Sequence, residues 1–450
     1  MLPEQFKARM KEILGDEYDA FIEALEDGRT SALRLNPLKA DEALLSSLSE
    51  FQLEKIPHIE YGYHYCGAGI GNTPAHHAGA IYVQDAGAMC AVEALSLFEG
   101  ARVLDVCASP GGKSTQAAAK IGRTGLLVAN EYVPSRAKIL VENFERLGLP
   151  SALALNLDTR ELGEMYHAYF DAVICDAPCS GEGMFRKTDE ALTHWSEENI
   201  RMCAQRQLEI LDNIYDTVKL GGELLYSTCT YAPEENEQVV REFLRRHPDF
   251  VLKPLPERLT QATAPAIAME DVPSITYARR FYPHRGAGEG QFIALFERIA
   301  CDSGEAVTYK DASKALTKEQ ERVLGAFLRD VLIDPSVVHP RELSGRLIHR
   351  AGDLPLPQRK VFMGGVLLGE IRGANFFPSH QFFSAFGTFF KRQLCLSRGD
   401  ERVGAYLHGE EISGEIPNGW CAVLFEGAVL GGGKASSCRV KNHYPKGLRK

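Results

Sequence analysis

Val173-Ile-Cys-Asp-Ala-Pro-Cys-Ser-Gly181 and its echo fifty positions later, Leu224-Leu-Tyr-Ser-Thr-Cys-Thr-Tyr231, decide how this chain is read. Each sets an apolar run suited to a buried parallel strand just before a cysteine among small polar residues. In an open α/β sheet the carboxyl ends of the strands are where ligands bind. Cys179 and Cys229 are therefore expected at strand ends facing a site. A lone buried cysteine is ordinarily a small hydrophobe, and Cys175 on the same strand reads that way. Two, each closing a strand, point instead to chemistry, because a thiolate is a strong side-chain nucleophile once its environment ionises it.

Working outward, the pattern from Arg102 alternates strand, loop and helix, the mark of a doubly wound, Rossmann-like sheet. Strands are expected at Val103 to Val106, Gly125 to Asn130, Ala152 to Leu157, Phe170 to Cys175 and Glu223 to Ser227. The helices between them include one from Glu197 to Leu220, ended by Gly221-Gly222. Arg279 to His284 and Gln291 to Phe296 read as a closing hairpin. Upstream, apolar positions at Phe6, Met10, Ile13 and Tyr18, Phe21, Leu25 predict two short amphipathic helices, and Ser31 to Pro37 a strand. Downstream of a polar stretch at 301–315, Thr317 to Leu332 predicts a helix. Lys360-Val-Phe-Met363, Val366 to Ile371, Trp420 to Phe425 and Ala428 to Leu430 predict a small β-rich module.

After the first strand comes Cys107-Ala-Ser-Pro-Gly-Gly-Lys-Ser-Thr115. It is similar to a phosphate loop, and Asp176 could pass for a magnesium-ordering acid, so a nucleoside triphosphatase is a rival reading. The first glycine of that pattern is here Cys107, which lacks glycine's backbone freedom. An adenosine-type cofactor carrying a sulfonium suits the chain better. The loop glycines admit the ligand closely, Glu131 after the second strand can take ribose hydroxyls, and Asp158 after the third can accept from the adenine amino group. Any one such acid is ordinarily a helix cap or a solvated loop residue. Their recurrence after successive strands favours the cofactor.

A chain of 450 residues suggests about two to four domains, and 45% hydrophobic with 24% charged residues is the make-up of a soluble globular protein. No apolar run reaches the roughly 18 residues of a membrane span, and Met1 to Lys7 lacks a signal peptide's apolar core, so a cytoplasmic location without a membrane partner is expected. Eleven cysteines without a Cys-x-x-Cys pair argue against a zinc ribbon or a disulfide framework. His76-His77, read as strand neighbours facing opposite ways, offers no metal site. The net charge of −10 hides an asymmetry: residues 316–450 hold 19 Lys and Arg against 13 Asp and Glu, a net of +6, which leaves −16 for the rest. The basic share at the back hints at a polyanionic partner.

Asp105-Val-Cys-Ala-Ser-Pro-Gly-Gly-Lys113, Asp176-Ala-Pro-Cys-Ser-Gly181 and Ser227-Thr-Cys-Thr-Tyr231 together resemble the motifs of the S-adenosylmethionine-dependent RNA cytosine-C5 methyltransferases, the NOL1/NOP2/Sun family. The resemblance spans roughly Ala32 to Glu297, and Arg34-Leu-Asn-Pro37 is similar to an element of the family's front extension. The tail Lys441-Asn-His-Tyr-Pro-Lys-Gly-Leu-Arg449 resembles the bacterial branch acting on small-subunit ribosomal RNA. It implies an α/β Rossmann-like methyltransferase with an α/β front extension and a PUA-like end. The segments are an RNA-binding extension at 1–75, the methyltransferase domain at 76–300, a linker at 301–315 and an RNA-binding region with the PUA-like module at 316–450.

By the same resemblance Cys107, Ala108, Ser109, Pro110, Gly111, Gly112, Lys113, Glu131, Asp158 and Asp176 hold S-adenosylmethionine, Cys229 is the nucleophile and Cys179 assists release. The product is 5-methylcytidine in 16S ribosomal RNA, the partner that RNA or the small subunit, and the protein a monomer. Arg186, Lys187 and Trp195 near the site, and Lys441, His443, Tyr444, Lys446 and Arg449 in the tail, could add phosphate and stacking contacts. A non-catalytic RNA-binding assembly factor is the remaining alternative.

Overall fold

The computed structural model describes residues 2–26, 31–187, 189–261, 263–286, 288–300, 306–307 and 309–449; of the expected linker, residues 301–305 and 308 lie outside the described residues. Its centre is a ten-stranded sheet. In chain order the strands are Arg102–Asp105 (β1), Leu126–Asn130 (β2), Ala152–Leu155 (β3), Phe170–Asp176 (β4), Val218–Thr228 (β5), Phe250–Lys253 (β6), Ala264–Pro265 (β7), Arg279–Phe281 (β8), Gln291–Arg298 (β9) and Val361–Met363 (β10). They run in the order β7-β8-β9-β5-β4-β1-β2-β3-β10, with β6 also paired to β9. Strands β1 to β5 run parallel to one another, and the flanking β9 and β10 are antiparallel to β5 and β3. The order turns back between β1 and β4, so the switch point of the sheet lies beside the loop after β1.

Side chains alternate across this sheet, so neighbouring apolar residues serve opposite cores. Val103, Leu127, Ile174 and Leu225 face the helices Gly112–Ile121 (α1) and Pro134–Leu147 (α2). Leu104, Val128, Val173 and Leu224 face Thr159–Met165 (α3), Glu197–Ile214 (α4) and Glu237–Arg246 (α5). Burial on both faces is why these strands read as continuous apolar runs.

Two expectations about the central sheet change. Gly221-Gly222 does not end α4, which stops at Ile214; β5 has already begun at Val218, and its register to β4 slips between Val218 and Glu223. Gly221, at φ +72°, supplies the left-handed residue that this bulge requires. The segment 361–363 does not join the small C-terminal sheets. As β10 it pairs antiparallel with β3 and extends the central sheet.

The ends of the chain fold onto one another. The N-terminal strands Ser31–Leu35, Glu54–Lys55, Gly62–Tyr65 and Ile81–Val83 form one sheet. Its Leu33, Leu35 and Ile81 share a core with Leu394, Val423 and Leu430 of a five-stranded sheet built from residues 393–442. Lys39 is buried at that junction, its Nζ donating to Ser384 Oγ (2.9 Å) and the Val429 carbonyl (3.2 Å). His76 and His77 lie in the short helix Pro74–His77, started by Pro74 and capped by Thr73, not on a strand. Among the described residues no helix is long and apolar enough to cross a membrane.

Candidate active site

The cleft opens at the carboxyl ends of β1, β4 and β5. It is lined by Asp105, Cys107 to Pro110, Gly112, Lys113, Asp176 and Cys229, and on its far wall by Tyr82, Gln84, Asp85 and Glu289 to Gln291. The loop after β1 is held on both sides. Ala108 N–H donates to Asn130 O (2.8 Å), Arg136 Nη2 to Ser109 O (2.9 Å) and Asn143 Nδ2 to Pro110 O (2.9 Å). Gly111 sits at φ +110°, where a side chain would also press on Leu140 at 3.1 Å. From inside the N-terminal sheet, buried Arg34 donates to Gln84 Oε1 (2.9 Å), Gly112 O (3.1 Å) and the Thr115 hydroxyl. The Arg-Leu-Asn-Pro element thus braces the cofactor loop.

The two strand-end thiols converge. Cys179 Sγ lies 3.2 Å from Cys229 Sγ, and Cys229 N–H points at Cys179 Sγ (3.3 Å). The Cys229 sulfur, with burial, pushes the Cys179 thiol well above its usual range, so Cys179 keeps its proton. Around them runs a network that fixes the spacing. Glu182 accepts from Trp195 Nε1 (2.8 Å), Thr230 Oγ1 (2.9 Å) and Tyr231 N–H (2.8 Å). Glu235 accepts from Ser180 N–H (3.0 Å) and Gln207 Nε2 (2.8 Å). Both loops hang on carboxylates that the sequence reading did not single out. Cys175, by contrast, is fully buried in the core, and burial raises its thiol.

Lys113 Nζ pairs with Asp176 Oδ2 at 2.7 Å, and Asp176 Oδ1 accepts from Ser227 Oγ (2.7 Å). A phosphate-loop lysine must meet phosphate; this one is spent on a carboxylate. Glu131 is buried behind the loop, where Oε1 takes Val133 N–H (2.8 Å) and Oε2 lies 3.6 Å from Arg136. Asp158 is exposed and caps α3, accepting from Arg160 N–H (2.9 Å) while Glu161 reaches back to its N–H (2.9 Å). It does not line the cleft, nor does Glu131. The helix-cap reading of Asp158 was visible in Asp158-Thr-Arg-Glu161, an acid followed three residues later by glutamate.

Three basic or aromatic candidates beside the site have other tasks. Trp195 is a core ring stacked edge-on to Phe6 (6.1 Å), Arg186 pairs with Glu289 (3.3 Å) and Lys187 with Asp85 (3.7 Å). In the tail, Tyr444 is buried against His380 and Tyr406, so its ring is not available to stack on a base. Asp105 opened the cofactor-loop motif but was given no role of its own, and the far wall was missed because nothing in its spacing marks it. Only the fold brings residues 82–85 and 289–291 to the end of β5.

Residues 92–297 match the family described as 16S rRNA methyltransferase RsmB/F, residues 2–86 the N-terminal domain of 16S rRNA methyltransferase RsmF, and residues 393–450 the methyltransferase RsmF PUA domain. The Ribosomal RNA small subunit methyltransferase F of Vibrio vulnificus is 31% identical over 99% of this chain and 97% of its own, and that of Klebsiella pneumoniae 31% over 99% and 96%. The chain belongs to the RsmF family of ribosomal RNA small-subunit methyltransferases. A solved methyltransferase homologue from Pyrococcus horikoshii, 29% identical, superposes over 66% of this chain and 95% of its own with a TM-score of 0.57. NSun6 from the same organism, solved with SFG, shares the fold at 19% identity, covering 66% and 99%, with a TM-score of 0.58.

The methyl donor of such an enzyme is S-adenosylmethionine, and the residues at the switch point fit it. Asp105 Oδ1 is buried with no hydrogen-bond partner among the described residues, an acceptor suited to the donor's cationic amino-acid end. Burial pushes Asp105 up to about 7, even with Ser114 Oγ donating to it at 2.5 Å. Gly112 lines the cleft where a Cβ would press on Gln84 at 3.2 Å, so glycine lets the loop and Gln84 approach closely there.

Proposed function

We propose that this RsmF-family chain methylates C5 of a cytidine in 16S ribosomal RNA through a covalent adduct between Cys229 and C6 of the base. The observation that carries the reading is the 3.2 Å approach of Cys179 Sγ to Cys229 Sγ, with Cys229 lining the same cleft as the Lys113–Asp176 pair. Cytosine C5 is a weak nucleophile. Addition of the Cys229 thiolate to C6 breaks the C5=C6 π bond and sends its electrons toward C5, N3 and O2, so that C5 can take the methyl group from the sulfonium in line. The C5 proton then leaves to water, the double bond reforms and Cys229 departs as thiolate. Cys179, a neutral thiol touching Cys229, steers that proton to water and so assists release. Asp176 and Lys113 face the polar edge of the ring, where N3 gains charge.

The loop from Cys107 to Gly112 cradles the donor, Asp105 takes its amino-acid end, and Glu131, set behind the loop, braces the ribose side without lining the cleft. Asp158 orders α3 beside the adenine. The base must leave its stack to reach this cleft, which costs a few kcal/mol and asks for RNA contacts elsewhere. The net positive C-terminal third supports that part. The partner is 16S ribosomal RNA or the small subunit, bound by a cytoplasmic monomer.

The test uses RNA from a strain lacking the protein. Cys229→Ala yields neither 5-methylcytidine nor adduct, whereas Cys179→Ala yields a protein–RNA adduct stable to denaturing electrophoresis. Normal turnover by the Cys179 variant without adduct refutes the roles. Hydrolysis of ATP, with no affinity for S-adenosylmethionine, refutes the reaction.

A further inference from the structure

Strand β9 enters the sheet beside the nucleophile. Its antiparallel ladder with β5 ends on the pair Thr228–Phe292, and continuing that register by one residue sets Cys229 opposite Gln291. Directly opposed residues in an antiparallel pair stand on the same face about 5 Å apart. Gln291 and Cys229 accordingly line the same cleft. Gln291 is only 4% exposed, and its Nε2 has no acceptor among the described residues. A buried amide donor without an acceptor costs stability, which a ligand supplying the acceptor returns.

The backbone there is clamped. Gly290 has φ +129°, and a Cβ on it would strike the Tyr231 hydroxyl at 2.3 Å; that hydroxyl donates to Glu289 O at 2.6 Å. Gly183 N–H donates to Cys229 O (2.8 Å), and a Cβ on Gly183 would meet both Gly290 O (2.9 Å) and Cys229 O (3.0 Å). The amide and the sulfur are thus held by one frame.

We propose that Gln291 donates its side-chain N–H to O2 of the flipped pyrimidine, as a catalytic residue for the adduct step. The inference rests on the cytosine-C5 reading above and deepens it. When sulfur adds at C6, the displaced electron pair is shared between C5, N3 and O2. Lys113 and Asp176 attend the N3 side, and a donor opposite the attacking sulfur attends O2. Charge on O2 grows during addition, so the bond is stronger in the adduct than in the encounter complex and acts on rate before affinity. No proton changes hands at Gln291.

The experiment measures adduct formation on 16S RNA carrying either cytidine or 2-thiocytidine, whose sulfur is a poor hydrogen-bond acceptor, with the donor saturating. Gln291→Ala is expected to slow the cytidine reaction about 100-fold, as loss of one oxyanion donor does, with affinities for S-adenosylmethionine and RNA within about twofold of wild type by the uniform-binding argument. The 2-thio substitution should slow the wild type and leave Gln291→Ala no slower than before. Gln291→Met, which keeps length and loses the donor, carries the same expectation if the alanine variant loses donor affinity. An unchanged rate in both variants, or equal slowing of wild type and variants by the 2-thio substitution, overturns the O2 contact alone. A wild type that makes no 5-methylcytidine overturns the cytosine reading and the contact together.

Discussion

Glu182 joins the two catalytic loops, and removing its carboxylate tests whether the thiol spacing is held by polar bonds or merely by packing. It is buried, and burial raises its carboxyl despite three donors. Of those donors, Thr230 Oγ1 has a second partner in Ser180 Oγ at 2.9 Å, but among the described residues Trp195 Nε1 and Tyr231 N–H have no second acceptor. Glu182→Ala therefore strands two buried donors at about 1–3 kcal/mol each, roughly 2–6 kcal/mol in all. Set against a typical total of about 5–15 kcal/mol, that is a large shift. Glu182→Gln retains an acceptor oxygen but turns an N–H toward a donor, and should cost about half as much. Urea unfolding reads the stability. Single-turnover adduct formation, taken well below each variant's transition, reads the geometry. Since Cys229 lies one residue before Thr230, we expect the adduct rate to fall about 10–100-fold in Glu182→Ala, as a displaced nucleophile loses its approach to the base. A variant with wild-type midpoint and wild-type adduct rate would refute the reasoning.

Two further outcomes follow from buried charge. Arg280 meets Glu237 in a bidentate pair (2.7 and 2.5 Å) with both side chains buried, so Arg280→Met should cost about 3–5 kcal/mol in urea unfolding by leaving an unpaired carboxylate, and adding Glu237→Gln should restore most of it. A double variant no more stable than the single would exclude that cause. Glu235 is pushed up to about 7, chiefly by burial, so between the ordinary value of 4.5 and 7 the folded protein binds more protons than the unfolded one and stability falls as pH rises. Glu235→Gln should match the wild type near pH 4 and exceed it at pH 8, with midpoints measured at both; parallel pH profiles would count against it.

The sheet and the two thiols were legible because they rest on local signals. Val173 to Cys175 and Leu224 to Tyr226 are buried on both faces, so their composition alone marks them as central strands, and Cys179 and Cys229 follow within three residues of the strand ends. The glycine pair at 221–222 misled because glycine serves equally to stop a helix and to bulge a strand, and only the neighbouring strand decides between them. Asp158 could have been read as a cap from its own four residues. Tyr82, Gln84 and Gln291 could not be read at all. They come to Cys229 from both sides of the methyltransferase core, and no period in the chain records a meeting across two hundred residues. The core shared by Leu33 and Val423 was hidden for the same reason.

Strand β10 carries a consequence for how the protein survives cleavage. It covers the rim of β3, and Lys360, just before it, offers its carbonyl to Asn156 N–H (2.9 Å) and its ammonium to Glu161 (2.5 Å). A protease cut near residue 300 that released everything behind it would strip this cover and bare a row of unsatisfied amides along a flat apolar border, a template for stacking one molecule on the next. The front two thirds cut free should then gather into insoluble material instead of persisting as a smaller soluble enzyme.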